Sequence, residues 1–209
     1  MPLNTIKFFL FLLTITIIVP SSYGQKYDCL SLEESGAIKK SFASFEKDLY
    51  TYYNLNNNPV KAYKTFLAEI TNLSIDLKKF PSKTSIELAR TFKKIANGKN
   101  SLWIKLSEYE ASEDGKKAPI PDTAKKNQEE VMIFNYRGGF IQCIKNNSNS
   151  QAFKNIINTL ELDGNVSPSV IAQRLNNLSD KEIDTYEVKK FIAFDIYYSI
   201  LMVIEKAFG

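Results

Sequence analysis

Apolar residues recur at three- and four-residue intervals along most of the chain, and polar clusters rich in Asn, Pro or Gly separate the runs. That period belongs to helices with one face turned to a core. Ile38, Phe42, Phe45, Leu49 and Tyr53 form the first face, after a Ser31–Glu34 pair spaced as a capping box. The run NLNNNP follows. Asn58 there suits a helix cap, and Pro59 suits the first helical position, where a missing N–H costs nothing. Tyr63, Phe66, Leu67, Ile70, Leu73 and Leu77 make a second face that ends before Pro81. A third helix is expected from about Thr84 to Ala96, stopped by Gly98.

Residues 101–109, SLWIKLSEY, fit two periods. Leu102, Leu106 and Tyr109 suit a helix; Leu102, Ile104 and Leu106 suit a strand; the helix is the favoured reading. The stretch ASEDGKKAPIP then carries charges, Gly115, Pro119 and Pro121 with almost no apolar content, and is the clearest loop in the chain. Asp122 is placed to cap a helix from about Thr123 to Lys145. Phe153, Ile156, Ile157 and Leu160 mark a short helix, and Ser167-Pro168 starts another with Val170, Ile171 and Leu175. Ser179 and Glu182 form a second capping box, opening a long helix to about Ala207. The pattern predicts an all-α fold, a compact bundle of six or seven helices, with no strand and no internal repeat.

Within the Thr123–Lys145 helix, NYRGGF sets Gly138 beside Gly139. Glycine inside a helix costs close to 1 kcal/mol relative to alanine, so the pair calls for a reason. Close approach of a second helix, or a kink, is the expected one; a functional loop is the alternative. Arg137 precedes the pair and is one of only three arginines, with Arg90 and Arg174, among 27 basic residues. A planar, multi-donor cation in so lysine-biased a chain suggests a specific partner. Asp195, set within FIAFDIYYSILMVIE, is the candidate, because a carboxylate on a buried helix must be paired, hydrogen-bonded or neutralised. Arg137 and Asp195 are therefore a candidate buried polar pair, with a tyrosine-bonded Asp195 as the other reading.

The ends and the cysteines place the protein. Met1 to Gly24 has one basic residue, Lys7, an apolar run from Phe8 to Val19, then Pro20 and small residues before Gln25. This is the form of a secretory signal peptide, so residues 1–24 are expected to be removed and 25–209 to fold as a single helical domain in a secreted or periplasmic setting. The apolar run is short for a membrane span, so no stable membrane insertion is expected after cleavage. Cys29 and Cys143 are the only cysteines, and in an oxidising compartment an even pair is most simply one disulfide. Asn-x-Ser sequons at Asn72, Asn146, Asn165 and Asn177 mark positions that a eukaryotic source would be able to glycosylate.

Composition then narrows the chemistry. The formal net charge is +4, with Lys and Asp/Glu interspersed, which argues for a solvated surface and against nucleic acid as partner. The chain has no histidine, so neither a Ser-His-Asp nor a Cys-His set can be assembled, and the common zinc sites lack their ligands. No metal site and no cofactor are expected. The leading expectation is an exported binding protein that recognises another protein in the envelope, as an inhibitor or immunity-type antitoxin does. Glu113, Asp114, Lys116, Lys117, Pro119 and Pro121 would form its contact loop. The alternative is a carrier of an apolar small ligand between helices; third is a hydrolase using two carboxylates, whose required spacing is spatial and not sequential. A cavity among the aromatic and aliphatic residues favours the carrier over the protein binder.

Overall fold

The computed structural model describes residues 32–95, 101–112 and 131–208. The leader, Cys29, Ser31, Gly98, the loop residues Glu113, Asp114, Lys116, Lys117, Pro119 and Pro121, and the Asp122 cap lie outside the described residues.

Three helices open the fold: α1 (Leu32–Tyr53), α2 (Pro59–Thr71) and α3 (Lys83–Ile95). The first turn between them follows local chemistry. Asn54 takes a left-handed conformation with φ 54, and Leu55 N–H reaches back to the Tyr50 carbonyl at 3.1 Å. This is the arrangement by which a helix satisfies its last carbonyls, and Asn tolerates it better than most residues. Asn58 then caps α2, its Oδ1 accepting from Lys61 N–H at 3.1 Å, with Pro59 at the first position as the sequence predicts. At the other end of α2, Leu73 takes the same left-handed conformation with φ 54, and Ser74 N–H bonds the Glu69 carbonyl at 2.9 Å.

The next part departs from an all-α fold. Trp103–Lys105 is a strand, β1, which leads into the short helix α4 (Leu106–Ala111). Met132–Phe134 is a second strand, β2, and the two pair antiparallel with Trp103 opposite Phe134 and Ile104 opposite Ile133. Two further bonds lengthen the ribbon, from Leu106 N–H to the Val131 carbonyl at 2.9 Å and from Asn135 N–H to the Leu102 carbonyl at 2.8 Å. Residues 101–109 thus satisfy both of their periods in turn, strand first and helix second.

After β2 the chain turns through Asn135–Gly138 into α5 (Gly139–Asn147), so the helix expected from Thr123 to Lys145 begins only at Gly139. The two glycines stand at its start, not at a crossing of helices. A Cβ on Gly138 would come within 2.8 Å of Asn135 Nδ2 and 3.2 Å of the Asn135 carbonyl, whereas one on Gly139 would meet nothing within 4 Å. Asn135 cannot easily yield, because it is buried and its Nδ2 donates to the Ser101 carbonyl at 3.0 Å. One glycine is required by this turn; the other is not.

The remaining helices are α6 (Gln151–Asp163), α7 (Pro168–Asn176) and α8 (Asp180–Ile183). Ser150 caps α6 through Phe153 N–H at 3.0 Å and donates to Glu182 Oε1 at 2.6 Å. Glu182 completes the capping box of α8 with Ser179, so one carboxylate joins two helix starts. The box opens a four-residue helix, because Thr185 begins a new segment, α9 (Tyr186–Phe191). From there the chain continues as a π-helical turn (Ile192–Tyr198), α10 (Ser199–Ile204) and a final 3₁₀ turn (Glu205–Phe208).

All seven residues of the π-helical turn are buried, which makes this segment the centre of the core. Tyr197 packs among Phe45 of α1, Phe66 of α2 and Phe80, with centroids 4.9 to 6.4 Å apart. Phe194 and Tyr198 lie against Phe92 of α3. Large rings meeting edge to face account for much of the buried area of such a core.

Two elements of the sequence-based description therefore need correction. The fold is mostly helical, yet it contains an antiparallel ribbon, and its helices are more numerous and shorter than six or seven. The bundle with one disulfide is also not what is found. Cys29 falls outside the described residues, so no disulfide joins two described elements, and hydrogen bonds and aromatic packing hold them together. Among the described residues, no helix is long and apolar enough to cross a membrane. The four sequon asparagines, Asn72, Asn146, Asn165 and Asn177, are all exposed.

Candidate functional site

A cavity of about 310 Å³ lies between the ribbon and the C-terminal segment. One wall is Val131–Phe134 with Tyr136; the facing wall comes from Asp195 on the π-helical turn and Ser199, Ile200, Val203 and Ile204 on α10. The link from α6 to α7 closes a third side through Gly164, Asn165 and Val166. Gly164 is a necessity there. Its φ of 72 is unfavourable for residues with a Cβ, and a Cβ would approach the Tyr109 ring to 3.0 Å. Val131 and Val203 are 54% and 76% exposed, so the mouth of the cavity is itself apolar.

Inside this apolar surround sits one carboxyl group. Asp195 is buried, and its Oδ1 accepts a hydrogen bond from the Tyr136 hydroxyl at 3.0 Å. Its Oδ2 is buried without a hydrogen-bond partner. Lys and Arg are absent from the lining, so no cation offsets a negative charge here. Burial raises the Asp195 carboxyl to about 8, against which the Tyr136 hydrogen bond works only partly. The same burial, with Asp195 next to it, holds the Tyr136 phenol well above its ordinary range. At neutral pH the pair is therefore an uncharged carboxylic acid bonded to an uncharged phenol. Since Tyr136 donates to Oδ1, the acid proton belongs on Oδ2, facing the unfilled position.

The expected Arg137–Asp195 pair does not form. Arg137 lies over the Tyr109 ring with its guanidinium carbon 4.1 Å from the centroid. Its Nη1 donates to the Tyr109 carbonyl at 3.0 Å and to Ser112 Oγ at 2.7 Å, and Nη2 reaches the Glu161 carbonyl at 3.4 Å. The planar, multi-donor cation is used to fasten the turn before α5 to α4 and α6. Adjacent residues of one turn, Tyr136 and Arg137, thus send their polar groups to different places. The tyrosine-bonded reading of Asp195 is the one that holds.

A second buried carboxyl was not singled out by the sequence pattern. Asp48 Oδ2 accepts from Ser82 N–H at 3.1 Å, Ser82 Oγ at 3.2 Å, Ser85 Oγ at 2.6 Å and Tyr197 Oη at 2.7 Å. Its position on α1, one residue before the inward-facing Leu49, is the only hint the sequence offered. This group is fully engaged within the fold, whereas Asp195 is not.

Trp103, the only tryptophan, stands beside the cavity. Its Nε1 donates to Ser199 Oγ at 2.8 Å, and its ring lies 5.7 Å from that of Phe134. Both partners line the cavity. A larger groove of about 600 Å³ between α2 and the α7–α8 region is polar and open, and Lys64 and Asp180 bridge it as an ion pair. Neither buried unpartnered side-chain atom, Ser41 Oγ or Asp195 Oδ2, belongs to its lining. Among the described residues, no group of three or more His, Cys, Asp or Glu is arranged to hold a metal ion.

No protein-family model, no curated protein and no solved structure matches the chain.

Proposed function

We propose that this protein binds a small, mainly apolar molecule in the cavity between the ribbon and α10. The observation that carries the proposal is the unpartnered, buried Oδ2 of Asp195 at an otherwise apolar surface. A buried polar atom left without a partner costs about 1–3 kcal/mol, and a bound molecule is one way to recover it. The volume lies at the lower end of the range typical of ligand sites, and an apolar lining with few polar groups is their usual character. The π-helical turn supports the same reading, since such turns occur frequently at functional sites. The hydrolase reading needs two carboxylates in one cleft, and among the described residues Asp195 is the only one lining the cavity. The protein-recognition reading rested on residues 112–121, most of which lie outside the described residues. The leader read in residues 1–24 supports a site of action outside the cytoplasm, so the role proposed is an exported carrier or scavenger.

Probe binding with a blocked mouth tests this. N-phenylnaphthylamine fluorescence should rise on addition of the full chain and saturate. The double variant Val131→Phe, Val203→Phe fills the mouth from two exposed positions, so it should bind the probe at least about tenfold more weakly with thermal stability nearly unchanged. Equal binding by both proteins would place the probe elsewhere and remove the proposal.

A further inference from the structure

The cavity presents one polar atom to whatever enters it, and the chemistry of that atom restricts the occupant. We infer that the cavity selects an uncharged apolar molecule bearing a single oxygen acceptor, such as a ketone, which accepts a hydrogen bond from the acid O–H of Asp195. The inference rests on the proposed binding function and goes further, to the class of ligand.

Three ligand classes compete for such a position, and the surroundings separate them. An anionic head group would enter a site with no lining cation and sit against an acid, with nothing to offset its lost hydration. An ammonium would have to shed its own water and also draw the proton off Asp195. The resulting ion pair would be buried with Tyr136 as the one other hydrogen-bond partner of the carboxylate. A neutral acceptor needs neither change. It takes the hydrogen bond that Oδ2 lacks, leaves Tyr136 on Oδ1, and lays its hydrocarbon against Ile133, Ile171 and Ile200. The ionisable groups acting on this acid are few. Tyr136 bonds it directly, and Tyr109 and Arg174 act on Tyr136. Burial holds the acid protonated up to about pH 8, so the donor is present at neutral pH and absent well above it.

A matched series reads the selectivity: heptan-2-one, heptane, heptanoate and heptylamine, titrated into the full chain with Trp103 fluorescence as the signal. At pH 6.5 the ketone should bind about tenfold more tightly than the alkane, the factor expected of one hydrogen bond to a buried group, and more tightly than either ion. Raising the pH to 9.5 should erase the advantage over heptane. Asp195→Asn keeps an N–H donor at the same place, so it should retain the ketone preference and lose the pH dependence; Asp195→Leu should lose the preference. The ranking in the unaltered protein stands as a test even if neither variant folds. Tightest binding by heptylamine, growing with pH, would overturn the inference in favour of an ionised Asp195. Equal binding of all four would overturn it too, while leaving the cavity as a nonselective apolar site. A fluorescence response that persists in the Val131→Phe, Val203→Phe protein, or no response to any of the four, would instead remove the binding function on which it rests.

Discussion

Tyr197 donates its hydroxyl to Asp48 Oδ2 across 2.7 Å and ties the π-helical turn to α1. Two positions earlier on the same turn, Asp195 accepts from Tyr136 and has an oxygen left over. The core thus holds two carboxyl groups of opposite standing, one that completes the fold and one that the fold leaves incomplete.

Asp48→Ala should be strongly destabilising. It would strip partners from Ser82, Ser85 and Tyr197 at once, in a place with little access to water. Breaking a buried network of this kind costs roughly 2–4 kcal/mol. The check is the urea midpoint at constant slope. A loss below about 1 kcal/mol would show that the network contributes little.

Asp195 makes stability depend on pH in a definite direction. Its folded-state value is about 8, far above the roughly 3.9 of an aspartate in an unfolded chain. Between those values the folded protein binds the proton more tightly than the unfolded one, so stability is fully present below about pH 4. It falls as the pH rises and is lost through about pH 8. Each pH unit is worth roughly 1.4 kcal/mol, so the whole window amounts to up to about 5 kcal/mol, spread over all of it. Asp195→Asn should flatten this slope between pH 4 and 8 relative to the unaltered protein in denaturant titrations. A parallel pH profile in the two proteins would contradict it.

The two glycines should respond differently to alanine. Gly138→Ala drives a Cβ into the pinned Asn135 side chain and its backbone carbonyl, a clash costing roughly 1–3 kcal/mol. Gly139→Ala adds a methyl to open space at a helix start and should be neutral or mildly stabilising. Thermal melts of the two variants side by side decide this. Equal losses would mean that the turn has room for neither side chain.

Leu73 offers a stabilising change. It is 81% exposed and holds a left-handed conformation with φ 54. Leu73→Gly relieves a strain of about 1–2 kcal/mol and forfeits little burial, though the freer unfolded chain takes some of this back. A net gain of roughly 0.5–1 kcal/mol is expected in the unfolding free energy, and any clear loss would argue against strain at this position.

Local rules were legible in the sequence where the residues involved are neighbours. Asn58-Pro59 and the Ser179–Glu182 box are contacts within one turn, and both form as their spacing suggests. The ribbon was harder to see. Each strand contributes three residues, too few to display alternation, and its partner lies a long way along the chain. The site was half legible. Asp195 stood out as the lone charge of an apolar run, but its partner is set by how β2 docks on the C-terminal segment, which no local pattern encodes. Arg137 was rightly read as a residue with several hydrogen-bond partners. Its acceptors are two backbone carbonyls and a serine hydroxyl, and a carbonyl leaves no mark in composition.

The π-helical turn has a consequence for how this protein can change. Each residue of a helix advances the chain by about 100° around its axis, so a wider turn resets the bearing of everything after it. Loss of one residue between Ile192 and Tyr198 would let the turn relax to ordinary α-helix and swing α10 by about that angle. Ser199, Ile200, Val203 and Ile204 would leave the cavity wall together, and the face carrying Leu201 and Met202 would be brought out of the core. Length here is therefore constrained more tightly than side-chain identity: this segment should accept many exchanges among apolar residues but no single-residue deletion.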